Sequence, residues 1–169
     1  MPFVPESAIE HVLEALEHTP PERYEALTVA FAEAQPALAA WLVSDTFDIL
    51  TEAEREYLLY LALVIWKAAT EVAGELPVAD AARIGELEER NWAVLNETKA
   101  GTFRQRLDPF FENYPQEDLL AFVEDALAID EQATDEAPDL EVTREGREPL
   151  FIALKTMIDA LLVAPATRD

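Results

Sequence analysis

Cysteine is absent from this 169-residue chain. That removes disulfides, thiolate metal sites and a cysteine nucleophile together, and it suits a reducing compartment. Glycine occurs only four times, and no glycine-rich phosphate loop, nucleophile elbow or tight hairpin turn can be assembled from it. There are two serines, Ser7 and Ser44. The first stands at a helix start and the second has no histidine near it in sequence, so the serine–histidine template for nucleophilic catalysis fails. Long apolar runs are missing as well. The longest covers residues 57–66 and is closed by Lys67, too short to span a bilayer. The first residues, Met1-Pro2-Phe3-Val4-Pro5-Glu6, lack the basic and apolar stretches of a secretory leader. The expectation is a soluble, cytoplasmic protein.

Positive charge is also scarce. Twelve bases face 35 acids, for a formal net charge of −23, and only Lys67, Lys99 and Lys155 are lysines. Direct nucleic-acid binding is disfavoured, because phosphates need a basic footprint. The acids are spread along the chain. That pattern fits halophilic adaptation, since at molar salt the Debye length falls to about 3 Å and self-repulsion is screened. A melt in low salt and in molar KCl checks this: strong stabilisation by salt is expected, and a flat response returns the acidity to the functional clues. The rival reading is an acidic surface that meets a basic partner or mimics nucleic acid.

What is present is helical periodicity. Half of the residues are apolar, enough for a packed core in one domain of this length. Capping-box patterns stand at Ser7–Glu10, Thr19–Glu22, Thr51–Glu54 and Thr102–Gln105, with Asp80 as a further cap. They predict helices from Ser7 to about His18, from Thr19 through Ala34, from Thr51 to about Ala73, and from Asp80 to about Asn96. Another begins at Thr102, with Pro109 as a kink or break. A short helix from Ala37 follows Pro36, and one opened at Asn113 carries Leu119, Leu120, Val123 and Leu127. The Thr51 helix is apolar nearly all round and is expected at the centre. An acidic stretch follows, with six acids and no base between Asp130 and Glu141, read as an exposed loop over 130–142. The last helix, over 143–164, docks through Leu150, Leu154, Met157, Ile158 and Leu161. No stretch alternates with period two. The expected fold is all-α, an irregular bundle of about seven or eight helices, mostly with short connections.

Three constellations could carry chemistry. His11, Glu14 and His18 share one helix face at i, i+3 and i+7, and imidazole and carboxylate suit zinc, manganese or iron. One helix supplies only an edge of such a site, and the alternative is a solvated polar stripe. Lys99, Arg104 and Arg106 form a basic island near a helix start, with Arg144 and Arg147 as a second pair, together a possible anion site. The alternative is ion pairing with nearby acids such as Asp108 or Glu112. Phe103, Phe110, Phe111, Tyr114 and Phe122 lie beside that island; exposed and rimmed by arginine, they would make a protein interface, and buried, a helix corner. Asn91 falls on the stripe of Leu87, Val94 and Leu95, where a buried amide would need partners. No cofactor is implied. The reading is a non-enzymatic interaction or regulatory domain, contacting another protein through Phe103, Arg104, Arg106, Phe110, Phe111 and Tyr114. The alternative is a helical protein with a small-ligand or metal pocket between helices, a possible enzyme. Sequence leaves the oligomeric state open.

Overall fold

The computed structural model describes residues 2–98, 101–128 and 142–163. Lys99, Ala164 and the acidic stretch from 130 to 141 lie outside them. Eight α-helices, one 3-10 turn and no strand occur among the described residues. The helices are α1 (Glu6–Glu17), α2 (Pro21–Ala34), α3 (Pro36–Leu42), α4 (Glu52–Ala73), α5 (Ala81–Glu97), α6 (Phe103–Phe111), α7 (Glu117–Leu127) and α8 (Arg144–Leu162). None of them singly is long and apolar enough to cross a membrane.

Local capping chemistry sets several boundaries. Thr51 and Thr102 each form the reciprocal box, with the threonine oxygen accepting from the third helical N–H and Glu54 or Gln105 reaching back. Asp80 caps α5 by accepting from the Arg83 N–H at 2.9 Å, and Pro109 sits inside α6 without ending it. Three expected caps are corrected. Ser7 is not a cap: α1 starts at Glu6 after Pro5, and the Glu6 N–H donates to Asp118 on α7 at 2.9 Å. Thr19 turns its hydroxyl back to the Ala15 carbonyl at 2.7 Å, closing the preceding helix. Asn113 adopts a left-handed φ of 55°, which asparagine tolerates, and α7 begins only after Gln116.

The apolar core is one cluster to which all eight helices contribute. Its centre differs from the expectation. α4 is buried through Leu61–Ile65 as foreseen, but α8 is buried at every position from Leu150 to Asp159. It packs against α4, α5 and α7, so it is a central helix and not one that docks by a single stripe. Val142, assigned to the exposed loop, is buried in the core.

Buried polar side chains tie the connections down. Glu54 on α4 accepts from the Thr51 N–H at 2.9 Å with one oxygen. Its other oxygen accepts from the Thr143 N–H and hydroxyl, both at 3.0 Å. Thr143 in turn caps α8 by accepting from the Gly146 N–H at 3.0 Å. Gln116 accepts from the Val4 N–H at 3.0 Å and donates to the Pro2 carbonyl at 2.9 Å. Gln35 clasps the α4–α5 connection in the same way, accepting from the Ala79 N–H at 3.0 Å and donating to the Pro77 carbonyl at 2.9 Å. Buried backbone groups outside helices need such partners.

Candidate functional site

Where α5 crosses α8, a polar cluster lies inside the bundle. Lys155 and Asp159 are one turn apart on α8, the spacing at which side chains meet. The Lys155 amine donates to Asp159 Oδ2 at 2.6 Å and to Asn91 Oδ1 at 3.3 Å. Asn91 Nδ2 donates to Thr156 Oγ1 at 3.0 Å and to Asp159 Oδ2 at 3.2 Å. From the connection between α6 and α7, the Tyr114 hydroxyl donates to Asp159 Oδ1 at 2.6 Å. The Lys155 nitrogen stands 4.5 Å from the ring centre of Tyr114 and 5.7 Å from that of Phe110. Exposure is 4% for Asn91, 7% for Lys155 and 5% for Asp159. Each buried group is satisfied by another member, which is what makes a polar cluster tolerable in a core.

Burial changes the acid–base character of the cluster. It pulls the Lys155 amine down from its ordinary value; Asp159 opposes that pull, and the nearby charge of Arg90 adds to it. Burial pushes the Tyr114 phenol upward, and the Asp159 charge and hydrogen bond push the same way. A raised folded-state value means that the unfolded chain releases its proton first. Stability contributed by Tyr114 is thus complete below the ordinary phenol value and lost as pH rises above about 10. Alkaline denaturation followed by tyrosinate absorbance should show Tyr114 ionising only with unfolding. A fourth smooth, native-state tyrosinate titration would contradict this.

The cluster forms the inner wall of an open cleft of about 350 Å³. Its apolar sides include Leu87 and Val94 of α5 and Pro109 and Phe110 of α6. Arg83 and Arg90 of α5 stand along it, and neither forms an ion pair among the described residues. Three bases (Arg83, Arg90, Lys155) therefore meet one acid (Asp159) in this lining, in a chain where acids outnumber bases 35 to 12. The groove between α1 and α7 is the opposite, with Glu6, Glu10, Asp118 and Asp125 and no base.

The constellations singled out in sequence are placed differently. His11, Glu14 and His18 are all exposed, and no group of three metal-ligating side chains occurs among the described residues; one helix face brings no second element to complete a coordination sphere. Of the basic island, Arg104 and Arg106 are both paired within the chain. Arg106 donates to the carbonyls of Thr98 at 2.7 Å and Leu95 at 3.2 Å, closing the end of α5, and pairs with Glu148. Arg104 pairs with Glu124 at 2.9 Å and reaches Asp125 at 3.9 Å, acids from α7 and not the adjacent Asp108 or Glu112. Arg147 lies over the Phe103 ring at 4.4 Å, while Arg144 is exposed. The aromatic segment is turned inward: Phe110 packs edge-on against Phe151 at 5.1 Å, and Phe103, Phe111 and Tyr114 are half-buried. Their apolar area is used in the helix corner instead of forming an exposed patch.

Of the residues in the polar cluster, Asn91 had a visible signal, an amide on an apolar stripe, and it is buried with partners. Lys155, Thr156 and Asp159 had only a weak one: polar residues interleaved with Leu154, Met157 and Ile158 in the most apolar half of α8. Compared with known proteins, the chain matches no family model, no curated protein and no solved structure.

Proposed function

We propose that the protein binds a small organic anion with an apolar body in the cleft between α5, α6 and α8. The observation that carries the reading is the reversal of charge there, three bases to one acid within a strongly acidic chain. Arg83 and Arg90 supply guanidinium donors suited to a carboxylate. Leu87, Val94 and Phe110 supply apolar wall, the mixture usual in ligand pockets. The cluster behind them is rigidly partnered, so the wall is preformed.

The test is a titration with phenylacetate, with phenethylamine as the cationic control, followed by amide NMR shifts. Shifts at α5, α6 and α8 with the acid and not the amine are expected. Arg90→Ala should weaken binding about tenfold or more, the loss of one charge-assisted contact worth roughly 1.5–3 kcal/mol. Equal binding of both probes, or indifference to Arg90→Ala and Arg83→Ala, sinks the reading.

A second reading has one specific observation behind it. Residues 26–44, covering most of α2 and α3, include a single charged side chain, Glu33, although Val29 is 52% and Val43 67% exposed. A protein partner presenting an apolar face bordered by lysine or arginine would match this surface and the exposed Glu25, Glu33 and Asp45 around it. In that case Val43→Asp abolishes co-purification of the partner while the thermal melt stays unchanged, and persistence of the complex removes the α2–α3 surface from consideration.

A further inference from the structure

We infer that Lys155 is an amine nucleophile and that the anion admitted to the cleft carries a carbonyl carbon with which it condenses to an imine, a 2-oxo acid with an apolar tail being the class that fits. The inference rests on the anion-binding reading above and adds to it the reacting atom and the ligand class.

The placement of the nitrogen supports it. Lys155 is on the cleft wall beside Asn91 and Asp159, and its amine is held by Asp159 Oδ2 at 2.6 Å and Asn91 Oδ1 at 3.3 Å. A neutral amine has two N–H donors, which these two acceptors satisfy, and one lone pair. The ammonium form has three donors, and the Tyr114 face at 4.5 Å accommodates the third. Both protonation states thus fit the same site. Burial and the Arg90 charge favour the neutral one, against Asp159. A lysine desolvated in an apolar wall beside another cation is the usual way a protein exposes a free amine at neutral pH. Arg83 and Arg90 would hold the carboxylate of the same ligand, aligning the adjacent carbonyl with the nitrogen.

The step balances without a co-reactant. The amine lone pair forms the C–N bond while the carbonyl π pair moves to oxygen. The oxygen then leaves as water, carrying both amine hydrogens, and the C=N bond remains. Asp159, hydrogen-bonded to both Lys155 and Tyr114, is placed to take and return a proton during the transfer.

The test uses the full chain, phenylpyruvate and sodium cyanoborohydride, which reduces an imine to a stable amine. Because the chain holds only Lys67, Lys99 and Lys155, peptide mass spectrometry assigns the adduct unambiguously. Lys155 should be labelled at least about tenfold faster than the other two, the advantage of a ligand held with its carbonyl beside the nitrogen. Phenylpyruvate should also label it faster than the uncharged ketone phenylacetone does. Lys155→Arg, which keeps N–H donors for Asp159 but offers no nucleophilic amine, should remove that adduct and leave the slow labelling of the others. If phenylacetate binds and phenylpyruvate labels all three lysines alike, the imine inference is overturned while the anion reading stands. If phenylacetone labels Lys155 as fast as the oxo acid, the assignment to a 2-oxo acid is overturned. If neither carboxylate binds and Lys155 is not labelled, both fail together.

Discussion

Replacing Gly146 with alanine is expected to destabilise the protein by about 3 kcal/mol, although alanine is the better helix former by about 1 kcal/mol. Gly146 lies in the first turn of α8 with no unusual backbone angle, so propensity alone predicts a gain. Its environment decides otherwise. A Cβ built there falls inside the Glu54 carboxylate, the same carboxylate that accepts from the Thr143 N–H and hydroxyl. Glu54 is 1% exposed and has no room to withdraw without leaving those donors. Overpacking costs roughly 1–3 kcal/mol, and breaking hydrogen bonds to a charged acceptor roughly 1.5–3 more. Gly85 is the internal control. It is an exposed residue of α5 whose added Cβ meets nothing within 4 Å, so Gly85→Ala should stabilise by about 0.5–1 kcal/mol. Urea denaturation of the two variants should move the midpoint in opposite directions. A neutral or stabilised Gly146→Ala would mean that the junction between α4 and α8 is looser than its hydrogen bonds indicate.

Asp159→Ala is the second large effect, with an expected loss of about 3–5 kcal/mol, the range for removing one member of a buried, hydrogen-bonded pair and stranding its partners. The substitution takes the acceptor from Lys155, Tyr114 and Asn91 in a single change. Against a total stability of roughly 5–15 kcal/mol for an ordinary domain, that is a large fraction. Asp159→Asn should cost less, because the amide oxygen still accepts. The double variant Lys155→Met with Asp159→Leu should recover only part of the loss, since an apolar pair removes the stranded amine but leaves the Tyr114 hydroxyl without its acceptor. Equilibrium unfolding of the three variants orders them. If Asp159→Ala is no worse than Asp159→Asn, the carboxylate is not the centre of the cluster.

These two sites show where sequence is transparent and where it is not. The starts of α4, α5 and α6 were legible because their caps act over three residues: Thr51 with Glu54, Asp80 with Arg83, Thr102 with Gln105. The start of α1 was placed within one residue but its cap was not legible, because the Glu6 N–H is taken up by Asp118, 112 residues away, and a serine one residue further on imitated the local solution. The same contrast governs the cleft. Lysine and aspartate one turn apart ordinarily mark a solvated helix face. On α8 they mark the interior, because Asn91 and Tyr114 arrive from other elements to partner them. The aromatic segment around Phe110 was visible as a cluster, but its direction depended on Phe151, about forty positions further along.

The glutamine clasps have a consequence for the timing of local opening. Val4 and Ala79 lie in irregular segments, where backbone amide hydrogens normally exchange with solvent deuterium within the dead time of the measurement. Their N–H groups are buried and donate to Gln116 and Gln35. Release requires the glutamine to leave its pocket, and with it the neighbouring helix end. These two amides should be protected like core helical ones, and they would report the opening of α7 and of the α2–α3 junction from outside any helix.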